Sequence, residues 1–463
     1  MNIFNLFLAT IIIPLIPVIL CLNFRRVKGE ITHPVALLDT ALSMSLGIPG
    51  VIILALFTLA ATGFGLKCVW IGFSYLIGIL GVFYFEYSRV AKNKEVHFDI
   101  FKVDGKSSRN SKTMMMFFSI CILVPLLASQ ASYIFQMLEI EWLISPYEVP
   151  VIMLLLSVTM LICVFCSLKT RMIFIRIASM IALIGIVLVP LVILYKSGGL
   201  YPILTQMELH DRDLLSISHT EIFYFYGGML LCLVIPGQLY ALTGLRKLKT
   251  RSEIAVTAIF TVCISTVLIW CSIYLGFINS PYTSDNPVSY IFRIESLHAS
   301  YLTPLGQISI FALVFILAML VMSFILDIQA DRTQKHDSQG KIKELLFAGI
   351  FVLLTGLLIT RHTPIDPILM WIVTGCAFAP AFFARYTSRI KIQGIIASLA
   401  ISPFVVIFWN YLRLHGLRIF GNPLVHEIIA GFIFSMLVAL IVSAFSGGTK
   451  SDYESNLIIN PNP

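Results

Sequence analysis

The sequence is short of charge. Only 12% of its 463 residues are Asp, Glu, Lys or Arg, against about 25% in a soluble globular domain. With 58% hydrophobic residues and a mean hydropathy of +0.92, that shortage excludes an ordinary soluble enzyme. Catalytic motifs are missing as well: there is no phosphate-binding glycine loop, no HExxH and no nucleophile elbow, and the nine histidines lie mainly in loops and at the ends of apolar runs. The nine cysteines are scattered through apolar runs, and only Cys163 and Cys166 lie close together. No His or carboxylate stands beside them, so they read as reduced, apolar-like thiols, and no metal site is expected. No cationic stretch precedes the first apolar run; Arg25, Arg26 and Lys28 follow it, which predicts a retained first span and not a cleaved signal peptide. The net charge of +8 lies in short patches between apolar runs, so nucleic acid is not an expected partner.

What the sequence has in abundance is long apolar runs. A hydrocarbon core of about 30 Å takes about 20 residues of helix. That length predicts thirteen spans: A 3–22, B 34–60, C 69–87, D 114–138, E 150–168, F 172–195, G 222–244, H 254–278, I 304–326, J 345–361, K 366–384, L 392–412 and M 425–445. With the N-terminus outside, 24 of the 32 Lys and Arg fall on the cytoplasmic side and seven on the other, Arg361 at the outer end of J among them, and Arg176 alone lies within the body of a span. This bias predicts an integral protein of the plasma (bacterial inner) membrane with its N-terminus outside and its C-terminus in the cytoplasm. The longest connection, 88–113, reads as a solvated loop or surface helix. Residues 288–297 read as a short external helix, and the tail from Ser446 as disordered.

Two spans carry helix breaks. In B it is Gly47-Ile48-Pro49-Gly50; in G it is Pro236-Gly237, with Gly227-Gly228 shortly before. Proline removes a backbone donor and clashes with the preceding turn, while glycine tolerates the geometry that results. B and G stand five spans apart, so B–F and G–K form two five-helix repeats, inverted because five is odd. Matched broken helices in inverted repeats point to a transporter's central site. The divisions that follow are 1–33 (extra helix and first loop), 34–196 and 197–384 (the repeats), 385–445 (two further helices) and 446–463 (the tail).

The run TALSMSLGIPG from Thr40 resembles the first core helix of the sodium/solute symporter family. ALIGIVLVPLVILYKSGGLYPIL, from Ala182 to Leu204, is similar to that family's fifth core helix, and MSFILDIQADR, from Met322, to the end of its eighth. The resemblance implies an all-α, LeuT-like 5+5 inverted repeat with one extra N-terminal and two extra C-terminal helices, moving a solute by alternating access. It also exposes departures. The family's sodium site uses paired hydroxyls on the eighth core helix; here the candidate registers give Ser323-Phe324 or Phe311-Ala312, neither with two hydroxyls. Where the fifth core helix of the family opens with Thr-Asp and Gln, this chain reads Phe174-Ile175-Arg176-Ile177-Ala178. A hard cation needs several oxygen ligands, so sodium coupling through that site is not expected, and the coupling ion stays open between Na+ and H+.

A charge at membrane depth costs about 2.5–3.5 kcal/mol, which makes Asp39 and Arg176 candidates for function. Asp39 is read as binding a cation or proton, pairing with Arg176, or lying at the interface; with Ser323 it is the ion-coupling candidate. Arg176 either pairs or snorkels to the surface. Solute-binding candidates are Ser129, Gln130 and Tyr133 in D with Tyr226 and Gln238 in G, near Tyr224 and Tyr240, lining a cavity with the breaks Gly47, Pro49, Gly50, Pro236 and Gly237. Ser43 and Ser45 are expected to bond back to their own helix. The expected function is secondary active transport of a small polar or charged solute, without enzymatic activity. The rival reading is a transporter-derived membrane sensor or accessory subunit that binds a solute, or a separate protein partner, without transport.

Overall fold

A computed structural model of the chain describes residues 34–50, 53, 65–91, 109–138, 148–196, 198–199, 201–202, 205, 230–279, 302–330, 338–360, 366–387, 389–415 and 427–446. Span A, Tyr224, Tyr226, Gly227-Gly228, most of the second half of B, the segment 288–297 and the tail after Ser446 lie outside them. Among the described residues there are eleven α-helices and no strand. They are α1 (Pro34–Gly47), α2 (Cys68–Ala91), α3 (Arg109–Leu138), α4 (Glu148–Phe165), α5 (Leu168–Lys196), α6 (Arg251–Asn279), α7 (Leu302–Ala330), α8 (Ser338–Thr360), α9 (Pro367–Ala384), α10 (Ile392–Leu414) and α11 (Glu427–Phe445). Eight of the described helices are long and apolar enough to cross a membrane; α1, α4 and α8 contribute shorter apolar segments. Several run past the apolar windows: α3 begins at Arg109 and α8 at Ser338, because a helix satisfies its own backbone bonds whether or not lipid surrounds it.

Span G differs from expectation. Its described part, from Leu230 on, is not an α-helix with one interruption: Leu230–Leu233, Ile235–Gly237 and Ala241–Lys247 are successive 3-10 turns. Their bonds run three residues back, as in Gly237 N–H to Val234 O at 3.2 Å and Ala241 N–H to Gln238 O at 3.0 Å. Pro236 withholds a donor in the middle of this run, and the tighter winding re-pairs the neighbours.

Most of the main packing pairs have a counterpart when α1–α5 are exchanged for the 3-10 segment and α6–α9, although the packing of α5 on α6 is not equalled between α9 and α2. α2 packs on α6, α3 on α7 and α4 on α8. α1 packs on α6 as the 3-10 segment does on α2, α7 on α4 as α3 on α8, and α7 on α5 as α3 on α9. α1 meets α5 as the 3-10 segment meets α9, while α10 and α11 pack on each other and on α9. The fold class is therefore all-α and polytopic, with the paired arrangement that an inverted repeat implies.

Close backbone approach holds the second break in place. A Cβ on Gly237 would lie 1.8 Å from the Gly375 carbonyl oxygen, and one on Gly375 would lie 2.5 Å from Val234 O. Neither backbone has room to yield, so Gly237→Ala is expected to destabilise the fold by about 1–3 kcal/mol. Gly81→Ala, where a Cβ meets nothing within 4 Å, is the control. Thermal unfolding of the purified protein should separate the two; equal melting points would contradict this packing.

Candidate functional site

The first break forms where α1 runs out of donors. Ile48 N–H still reaches Met44 O at 3.1 Å and Gly50 N–H reaches Leu46 O at 2.9 Å, while Pro49 has no N–H to give. Gly50 then turns left-handed at φ 53°, a conformation glycine adopts freely. The Ile48 carbonyl, freed at membrane depth, needs a donor. It accepts the indole N–H of Trp371 at 2.7 Å, and the Tyr240 hydroxyl donates to it more loosely at 3.4 Å.

Trp371 also reaches the second break, since its carbonyl accepts the Gln238 side-chain N–H at 2.9 Å. The indole of α9 thus joins the broken parts of α1 and of the 3-10 segment. Gln130 closes in from α3: a Cβ on Gly50 would come within 2.3 Å of its Oε1. Away from the breaks the two broken segments also touch: Thr40 Oγ1, which bonds back to Ala36 O at 2.8 Å, lies 3.2 Å from Gly244 O of the 3-10 segment.

Among the predicted solute ligands, Gln130 and Gln238 are fully buried around the breaks, and Gln238 Oε1 accepts no hydrogen bond among the described residues. Tyr133 is buried on the same helix as Gln130, and its hydroxyl is likewise unpartnered among the described residues. Ser129 is spent on its own helix, donating to Leu126 O at 2.9 Å. Of the two serines expected to bond back, Ser43 does so, to Thr40 O at 3.0 Å, but Ser45 does not. It donates to Thr261 O of α6 at 3.1 Å, tying α1 to a helix distant in sequence. Trp371 was missed by sequence reasoning. The signal available was a lone indole N–H inside a wholly apolar run, a donor that requires a buried acceptor.

Against Gly47, α7 presents Leu320, whose Cδ1 would lie 2.2 Å from a Cβ on Gly47. Ser323 lies one turn on, near the Cys163 thiol at 3.7 Å. Asp39 is engaged by Arg176 through one edge of the guanidinium: Arg176 Nε donates to Oδ1, and Nη2 to Oδ2 at 2.8 Å. Of the alternatives open for these residues, the ion pair is the arrangement found. It joins α1 to α5, with Asp39 buried and Arg176 31% exposed.

Beside this pair, at the end where the basic loops gather, lies a cavity of about 50 Å³. Arg171 of α5, Thr243 and Lys247 of the 3-10 segment, and Ser323 and Asp327 of α7 supply its polar lining. Burial pulls the Lys247 ammonium below the ordinary lysine value, with the Asp39 carboxylate opposing and the Arg176 charge adding to the fall. A second buried cluster at this end was also missed. Glu86 of α2 accepts from Arg89 Nε at 2.8 Å and from the Tyr386 hydroxyl at 2.7 Å, and pairs with Arg385 Nη2 at 2.6 Å just past α9. Its sequence signal was the Glu86/Arg89 spacing at the end of span C. Among the described residues no group of three His, Cys, Asp or Glu could hold a metal.

The Asp39–Arg176 pair generates a direct expectation. In a double-mutant cycle of Asp39→Asn and Arg176→Gln read by thermal unfolding, the coupling should be about 1 kcal/mol or more, since Asp39 is buried although Arg176 is partly solvated. Additive effects would show that the pair contributes nothing. The chain matches no protein-family model and no curated protein. Among solved structures it is similar to a Na+-coupled sialic acid symporter in a substrate-bound, outward-open state, with a TM-score of 0.62 and 14% identity over 96% of this chain and 98% of that one. At that identity the likeness is one of fold, and it spans both chains nearly end to end: the protein has the fold of a solute symporter.

Proposed function

We propose that the protein is a secondary active transporter that carries a small polar or charged solute across a lipid bilayer by alternating access. The observation that carries this reading is the meeting of the two broken segments, Gly47 to Gly50 and Pro236-Gly237, linked by Trp371 and bordered by the Gln130 and Gln238 amides. Amides at the centre of an apolar bundle are costly to bury, and a polar solute would complete their hydrogen bonding. The similar symporter carries sialic acid, a polar carboxylate, and the solute proposed here belongs to the same broad class.

Asp39, Gly47 and Leu320 bear on the coupling ion. A cation at Asp39 would have to displace a bidentate guanidinium, and Leu320 offers no oxygen beside Gly47. Sodium remains in contention because the similar symporter is Na+-coupled; a proton is the alternative. The sensor reading, binding without flux, draws on these same departures. In the orientation proposed, both ion pairs of α1–α5 and α2–α9 face the cytoplasm, following the charge bias of the loops.

Uptake of labelled sialic acid and other small polar solutes into proteoliposomes tests the reading. Gradient-driven accumulation is expected, with Gln238→Leu lowering uptake about tenfold, the loss of one or two buried hydrogen bonds to the solute. A sodium gradient and a proton gradient imposed separately identify the coupling ion. Saturable binding without accumulation under either gradient would replace the transporter with the sensor.

A further inference from the structure

The cavity at the basic end holds a cation, Lys247, that no described carboxylate contacts. Lys247 makes no ion pair and no hydrogen bond among the described residues, though it is half-buried. The carboxylate it feels most is Asp39, whose two oxygens are already taken by Arg176. Arg171, in the same lining, spends its Nε on the Cys166 carbonyl at 3.1 Å and keeps its terminal nitrogens uncommitted among the described residues. A desolvated cation without a partner is unfavourable, and an anion between Lys247 and Arg171 relieves it.

The charge of the lining selects the anion. Arg171 and Lys247 bring two positive charges and Asp327 one negative, so the cavity carries a single net positive charge beside the neutral Asp39–Arg176 pair. A doubly charged phosphate would meet Asp327 unfavourably, whereas a monovalent anion balances the site. About 50 Å³ admits several water-sized groups, enough for a carboxylate and its immediate stem. The cavity lies directly against Gly244, where the 3-10 segment touches Thr40 of α1, so an occupant would sit at the contact between the two broken segments.

We infer that this cavity is a binding site for a small monovalent carboxylate, received by the Lys247 ammonium and the Arg171 guanidinium. Resting on the transport reading, the site is the station at which an anionic cargo leaves the breaks toward the basic end. The same chemistry would also accept a free carboxylate from the solution on that side.

Trifluoroacetate is a suitable probe, followed by fluorine NMR on the full chain in nanodiscs with acetate, chloride and inorganic phosphate as competitors. Saturable binding displaced by acetate better than by phosphate is expected. Affinity should fall about tenfold or more in Lys247→Gln and in Arg171→Gln, one charge-assisted contact each, and survive in Lys247→Arg. Two independent variants and the conservative one keep the test readable if either loses its fold. No saturable binding, equal competition by phosphate, or affinity unchanged by both neutral variants would overturn the site. Flux separates the sources: a raised KM in Lys247→Gln for carboxylate solutes alone marks cargo, whereas a rate of neutral-solute uptake altered by acetate on the basic side marks a free anion. Binding needs no transport, so trifluoroacetate bound without any flux would sink the transport reading and leave the site, and flux without bound trifluoroacetate would do the reverse.

Discussion

The constraint on which the rest of this structure depends is the Ile48 carbonyl. Inside a bilayer a backbone oxygen released from its helix has no water to turn to, and leaving it bare costs several kcal/mol. Here the helix is broken by Pro49 and the left-handed Gly50, and the oxygen is answered by Trp371 from α9. For that indole to arrive, α9 must lie against the 3-10 segment at backbone distance, which is why Gly237 faces Gly375 with no side chain between them. The Gln238 amide then bonds the Trp371 carbonyl, so both breaks are held by one residue of a third helix.

Charge is organised by the same economy. Two of the buried carboxylates are paired across elements far apart in sequence: Asp39 with Arg176 between α1 and α5, and Glu86 with Arg385 between α2 and the end of α9. Removing one partner of such a pair leaves an uncompensated charge, so each acts as a tether on the relative position of its helices. Both lie toward the end where Lys247 and Arg171 line the cavity. Lys247 stands apart because, half-buried, it has no ion pair or hydrogen bond among the described residues, and a cation in that condition is the chemical reason to expect an anion there.

Much of this was legible residue by residue. The Gly-Ile-Pro-Gly and Pro-Gly breaks could be read because the missing proline N–H and the freedom of glycine are local properties. Their five-span separation anticipated a packing pattern most of which survives exchange of the two halves. The Asp39–Arg176 pair stood among the alternatives because two lone opposite charges in apolar surroundings have few other options. Gln130 and Gln238 were singled out because a buried amide demands partners. Trp371, Ser45 and Lys247 escaped, since each is defined by what it meets: Ile48, Thr261 and an open cavity lie far off in the chain. Span G escaped in a different way, because hydrophobicity alone does not distinguish a 3-10 winding from an α-helix.

By itself the sequence determined that this is an all-helical membrane protein, where its helices fail and on which side its charge collects. These follow from the length of apolar runs, backbone chemistry at Pro and Gly, and the cost of charge in lipid, all of which act over a few neighbouring residues. Only the tertiary structure decided which group answers the freed Ile48 carbonyl, that Leu320 and not a hydroxyl lies against Gly47, and that Lys247 faces a cavity where no described carboxylate contacts it. Those outcomes depend on how helices cross, and crossing brings together residues whose separation along the chain carries no local signal.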